Sequence, residues 1–173
     1  MSVSYRVAAP TDAPLLAELL QAYMHETYAD PWHGTRERLA RDAFGKHLDM
    51  ALAVSGDRVV GFAAWATTYD LHHCFPGVEV VDMFVQPSYR GRGIAVGLLA
   101  TVAAHAQRAG ATFMTGAAVS AGSGGKLYAR AAIRHGEKFH LSGRAFRSLA
   151  EADPASPRSV LRSLPSKEWN FEA

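Results

Sequence analysis

The sequence predicts a mixed α/β protein, with a sheet that starts antiparallel and ends in a parallel pair. Three observations carry this. Short β-rich runs alternate with helical periodicities in the order β-α-α-β-β-β-α-β-α-β-β. One turn, Ser55-Gly56-Asp57-Arg58, reads as a hairpin, so its two strands are antiparallel. One apolar helix separates two strands that must then lie parallel.

The elements follow in order. Val3, Tyr5 and Val7 alternate as a strand does. Thr11 is placed to cap a helix with Asp12 and Pro14 in its first turn, and Leu15, Leu16, Leu19, Leu20 and Tyr23 keep helical spacing. Pro31 breaks the pattern. Thr35 to Gly45 reads as a second helix, with Leu39, Ala43 and Phe44 on one side. Strands are expected at Met50–Val54, Val59–Thr67 and Val78–Val85. A helix from Gly93 or Ile94 to Ala109 stops at Gly110, and Thr112–Val119 returns as a strand. A helix over Ser123 to about Ile133 and weak strands at Lys138–Leu141 and Ala145–Leu149 complete a domain over residues 1–150. The stretch 151–173 is rich in Pro, Ser and charge and reads as a loosely ordered tail.

Bulk properties narrow the function. The chain has 173 residues, 49% hydrophobic and 20% charged, the composition of a globular domain. Eighteen basic residues face sixteen acidic ones, a net charge of +2, so neither a nucleic-acid nor a membrane partner is expected. The single cysteine, Cys74, excludes an internal disulfide. The N-terminus has no apolar signal core and no run reaches a membrane span, so a cytoplasmic setting is expected.

The richest segment runs from Val80 to Ala95. An apolar strand, Val80 to Val85, ends at Gln86-Pro87, and a glycine-spaced loop then opens a helix. Such a junction gathers backbone N–H groups at the positive end of the helix dipole, a site for phosphate. A dinucleotide fingerprint fails here: Val96 holds the third glycine position, and no acid occurs between Asp82 and Glu137. A P-loop fails as well, because Gly93 is followed by Ile94 and not by Lys.

The spacing Arg90-x-x-Gly93-x-Ala95, preceded by Phe84-Val85, resembles the acyl-CoA pyrophosphate loop of the GNAT superfamily of N-acyltransferases. With the element order, the resemblance spans residues 3 to 149 and implies a GNAT fold, a central mixed sheet flanked by helices. Leu19-Leu20, Tyr23, Phe44-Gly45-Lys46-His47, Tyr69-Asp70 and Asp82-Met83-Phe84-Val85 are similar to the spermidine/spermine and thialysine branch. The resemblance implies that N–H groups around Arg90, Gly91, Arg92, Gly93, Ile94 and Ala95 hold the CoA pyrophosphate, and that Phe84 and Val85 border the thioester. A strand N–H there would stabilise the oxyanion. Gly91 and Gly93 let backbone approach the anion, and Arg90 and Arg92 add charge.

It also implies an acid for the departing thiolate. Tyr128, in Lys126-Leu127-Tyr128-Ala129-Arg130, matches the family's aromatic-Tyr-basic segment. The family's Asn is replaced by Ala121, its later Gly by Ala132, and Gly122-Ser123-Gly124-Gly125 precedes the helix. Val81 stands where the polyamine branch carries an acid, which weakens the case for a polyamine acceptor.

A protonated amine must lose a proton before it attacks. Asp82 and Glu79 are the candidate bases; an odd separation puts them on opposite faces of a regular strand, unless a bulge intervenes. Tyr23 and Glu26 on the first helix, and His72 and His73 on a loop expected to be mobile, are candidate acceptor contacts. Adjacent histidines rarely chelate one ion, and no zinc-type spacing occurs, so no metal is expected.

The expected activity is direct transfer from acetyl-CoA, as co-substrate, to a primary amine of a small polyamine-like or amino-acid-like molecule. The branch also implies a homodimer. Two alternatives stand beside this: a non-catalytic acyl-CoA-binding regulatory module, and a toxin-type acetyltransferase of aminoacyl-tRNA. Arg130, Arg134, Lys138, Arg144 and Arg147 are the basic residues that would serve the latter.

Overall fold

The computed structural model describes residues 3–117. The expected elements from Ser123 to Leu149, and Tyr128 with them, lie outside the described residues. Within them a five-stranded sheet runs β1 (Ser4–Val7), β2 (Asp49–Ser55), β3 (Arg58–Asp70), β4 (Phe75–Val85) and β5 (Phe113–Gly116), in that spatial order. The first three pairings are antiparallel, and β4 and β5 are parallel across the helix between them, as expected.

Helices cover both faces. Helix α1 (Ala13–Tyr28) buries Leu16, Leu19, Leu20 and Tyr23 against Met50, Leu52, Phe62, Ala64 and Phe84. Helix α3 (Ile94–Arg108) buries Ile94, Leu98, Leu99, Val102 and Ala106 against Ala51, Ala53, Ala63, Trp65, Val78 and Val80. Strand β2 shows why two faces form: Met50 and Leu52 point to α1, Ala51 and Ala53 to α3. Thr101 and His105 are the polar positions in the otherwise apolar Ile94–Ala106 stretch. Thr101 Oγ1 donates to the Gly97 carbonyl at 2.9 Å, and the His105 ring lies 5.6 Å from that of Trp65.

Several details correct the sequence expectations. Thr11 is not the cap of α1; it sits in a 3-10 turn, Pro10–Asp12, and Asp12 is the N-cap residue. The Asp12 carboxylate accepts the Ala9 N–H at 2.8 Å and both Arg6 amino groups at 2.7 Å. The second helix is one short turn, α2 (Arg36–Arg38), capped by Thr35 and widened into a π-turn over Leu39–Ala43. Strands β3 and β4 outrun the expected Thr67 and Val78, because Pro76 and Gly77 continue the ladder and do not break it. Proline lacks only a donor; its carbonyl accepts the Thr112 N–H at 2.8 Å. Gly77 lies under the Phe113 ring, which occupies the place a Cβ would take.

Two bulges set the register. In β3, Ala53 pairs with Gly61 and Val54 with Val59, leaving Val60 as the extra residue. In β4, Asp82 pairs with Ala64 and Val80 with Trp65, leaving Val81 as the extra residue.

Candidate active site

The Val81 bulge decides which side chains share a face. Val78 and Val80 pack toward α3, and so do Met83 and Val85; the phase slips by one between them. Glu79, beside Ala66, and Asp82, beside Ala64, therefore both fall on the α1 face. The opposite-face expectation for a regular strand does not hold here. The sequence gives no clear signal of the slip, because Val81 and Phe84 are apolar as well and hide the change of parity.

Asp82 meets α1 directly. Tyr23 donates its hydroxyl to Asp82 Oδ1 at 2.5 Å. The Tyr23 ring lies edge-on to Phe62 and tilted against Phe84, 5.6 Å from each, and edge-on to Tyr28 at 5.9 Å. In this aromatic pocket, burial lifts the Asp82 carboxyl above the ordinary carboxylate range, and the Tyr23 bond only partly offsets it. Burial, then the bond to Asp82, raises Tyr23, which stays a neutral donor. A carboxylate of this kind holds a proton more readily than one in water.

The loop after β4 is built for anions. Gly91 and Gly93 take left-handed φ values of 75° and 77°, and neither would bring a Cβ within 4 Å of another group. The first helical bond of α3 runs from Gly97 N–H to the Gly93 carbonyl at 3.1 Å. The N–H groups of Ile94, Ala95 and Val96 precede it and point out of the helix end. The Ile94 side chain is buried, so only its backbone can serve a ligand. Arg92 lies over the Tyr89 ring at 5.6 Å. Alongside, β5 pairs β4 only from Gly77–Phe113 to Val80–Gly116. Beyond Val80, β4 has no strand partner on that side among the described residues. The N–H donors at the start of α3 suit a phosphorylated ligand.

Arg90 departs from expectation. Its side chain turns away from the helix end, lies over the Phe84 ring at 5.5 Å, donates from Nε to the Val85 carbonyl at 2.8 Å, and pairs with Glu26 Oε1 at 2.6 Å. This pair links the last turn of α1 to the start of the loop. The fold brings together Tyr23, Glu26, Asp82, Phe84, Val85 and Arg90, with Glu79 on the same face. His72 and His73 are not brought there. They occupy a short turn between Asp70 and Phe75, where His73 Nδ1 meets Asp70 Oδ2 at 2.8 Å. Asp70 and Ala64 are six strand positions apart, about 20 Å at the usual rise. The Tyr23–Asp82 and Glu26–Arg90 pairings, 59 and 64 residues apart, have no local signature beyond the i,i+3 spacing of Tyr23 and Glu26 on one helix.

A model of the acetyltransferase (GNAT) family matches residues 14–130. Solved structures with the same fold include a ribosomal-protein-alanine N-acetyltransferase from Brucella melitensis biovar Abortus 2308. It has TM-score 0.65 and 22% identity, and the match covers 82% of this chain and 99% of that one. An aminoglycoside acetyltransferase from an uncultured soil metagenomic sample, in complex with sisomicin, has TM-score 0.69 and 15% identity over 82% and 96% of the two chains. An aminoglycoside N-acetyltransferase in complex with CoA has TM-score 0.62 and 20% identity over 83% and 95%. No curated protein sequence matches the chain.

Proposed function

The chain belongs to the acetyltransferase (GNAT) family, and from that premise we propose that it transfers an acetyl group from acetyl-CoA to a primary amine of a small cationic molecule. The observation that carries the acceptor side is Asp82. It is a carboxylate with a raised pKa, oriented by Tyr23, on the face of β4 that meets α1 and near that strand's end at Val85. The amine arrives mostly as ammonium, since a lysine-like amine has pKa about 10.4. Asp82 takes its proton, the free amine attacks the thioester carbonyl, and a new C–N bond forms as the C–S bond breaks. An N–H of the strand end near Val85 receives the oxyanion. Tyr128 gives the thiolate its proton, and the second proton shed by the nitrogen as the amide forms restores Tyr128.

The N–H groups from Gly91 to Ala95 hold the pyrophosphate, and the end of β4 takes the pantetheine amides. Glu79, on the Asp82 face, favours an acceptor with a second positive charge, of the polyamine or amino-acid type. Aminoglycoside acetyltransferases among the structural neighbours support a polycationic small molecule.

The test is thiol release from acetyl-CoA over a panel of polyamines, lysine analogues, amino acids, aminoglycosides and a lysine peptide. Wild type, Asp82→Asn and Tyr128→Phe are compared. Turnover with one amine class, lost in both variants, is expected. Acetyl-CoA binding without thiol release for any amine would overturn the assignment.

A further inference from the structure

Arg90 opens the glycine loop, where an arginine is expected to add its charge to a bound phosphate. Its guanidinium is already engaged elsewhere. One edge of the fork caps the last carbonyl of β4, at Val85, and the other reaches Glu26 in the last turn of α1, while the plane rests on Phe84. Both partners of the ion pair are partly exposed, 37% and 41%, and they join segments 64 residues apart. The geometry ties three parts: the strand end beside the thioester, the loop with the N–H groups, and the helix that carries Tyr23.

We propose that Arg90 is a positioning residue: through Val85 and Glu26 it holds the donor loop in its anion-binding conformation, and Glu26 on the acceptor helix is the remote half of that device. The inference rests on the acetyl-CoA reading given above. Gly91 and Gly93, with no side chain to hold them, need such an anchor, because glycine loses the most conformational freedom on ordering. A guanidinium suits the role and an ammonium does not. Only the planar fork can bond a backbone carbonyl and a carboxylate from two nitrogens at once.

The sign of one substitution separates this from direct charge binding. If Arg90 bound the pyrophosphate itself, Glu26 would compete for it, and Glu26→Gln would tighten acetyl-CoA. If Arg90 positions the loop, Glu26→Gln weakens acetyl-CoA, although it removes a negative charge near a polyanion. The experiment is calorimetric titration of the full chain with acetyl-CoA at about 0.15 M salt, where long-range charge effects are screened beyond about 8 Å. Wild type, Glu26→Gln, Arg90→Gln, Arg90→Lys and the Arg90→Gln/Glu26→Gln double variant are measured.

A loss of about threefold is expected for Glu26→Gln, the range of a partly exposed ion pair. The double variant should bind no more weakly than Arg90→Gln alone, and Arg90→Lys should fail to restore wild-type affinity. In turnover, Glu26→Gln should raise the KM for acetyl-CoA by a larger factor than it lowers kcat at saturating donor. Unchanged or tighter binding in Glu26→Gln, additive losses in the double variant, or full affinity in Arg90→Lys would each overturn the proposal. A wild type that binds no acetyl-CoA would overturn the donor assignment itself, which sets that failure apart.

Discussion

Tyr23 on α1 and Asp82 on β4 share a 2.5 Å hydrogen bond inside a cage of Phe62, Phe84 and Tyr28 rings. Burial pushes the Asp82 carboxyl up, and the Tyr23 hydroxyl pulls it part of the way back. Removing the hydroxyl in Tyr23→Phe lets burial act alone, so the carboxyl rises further. A base works only when ionised. The acidic limb of kcat/KM against pH should therefore move to higher pH in the variant. A limb that stays in place would remove Asp82 from the proton path.

Asp82→Asn separates stability from activity. A carboxylate whose folded pKa lies above its unfolded value costs stability at neutral pH. That cost disappears as pH falls below the ordinary carboxylate range. Asparagine keeps an acceptor for Tyr23 and carries no charge. The variant should melt higher than wild type at pH 7, with the gap closing toward pH 3. Its kcat should fall about 10²- to 10⁴-fold, the range for losing a general base. Glu79→Gln should act mainly on the KM of a cationic acceptor. Matched calorimetry and steady-state kinetics check all three statements.

Asp12 has the opposite sign. Its carboxyl is held below the ordinary range, chiefly by the bidentate Arg6 bonds and also by the Ala9 N–H. Its stabilisation is fully present above about pH 4 and is lost as pH falls through the depressed folded value. Asp12→Ala removes the buried acceptor of the Ala9 N–H and the ion pair with half-exposed Arg6, and should cost about 1–3 kcal/mol at pH 7. Urea unfolding should show that difference shrinking steadily in acid. A difference independent of pH would mean that packing, not charge, holds this corner.

Gly61 faces Val85 across the ladder, and a Cβ there would stand 2.9 Å from the Phe84 carbonyl oxygen and 3.4 Å from Leu98 Cδ1. The first neighbour is backbone and cannot swing aside. Gly61→Ala should cost about 1–3 kcal/mol in urea unfolding, as overpacking does. It should also lower activity by displacing Phe84 against Tyr23. Wild-type stability would show that β3 and β4 can separate there freely.

Much of the scaffold was legible in the chain because local chemistry wrote it. The Ser55–Arg58 turn forced a hairpin. The apolar Ile94–Ala106 stretch with Gly110 behind it forced a helix and its end. The Gly91 and Gly93 spacing marked a loop, and in the structure both glycines take positive φ. These features depend on neighbours a few residues away, so sequence alone determined them. The antiparallel-then-parallel order followed too, since one crossover helix admits few alternatives. What the chain could not disclose depends on contacts across dozens of residues. The Val81 bulge turned Asp82 onto the Glu79 face. Helix α1 then brought Tyr23 to Asp82 and Glu26 to Arg90. The length of the β3–β4 hairpin carried His72 and His73 away from both. Sequence determined which groups this protein has and which elements carry them. Only tertiary packing decided which carboxylate is desolvated and which arginine is bound, because burial and charge pairing are set by neighbours in space.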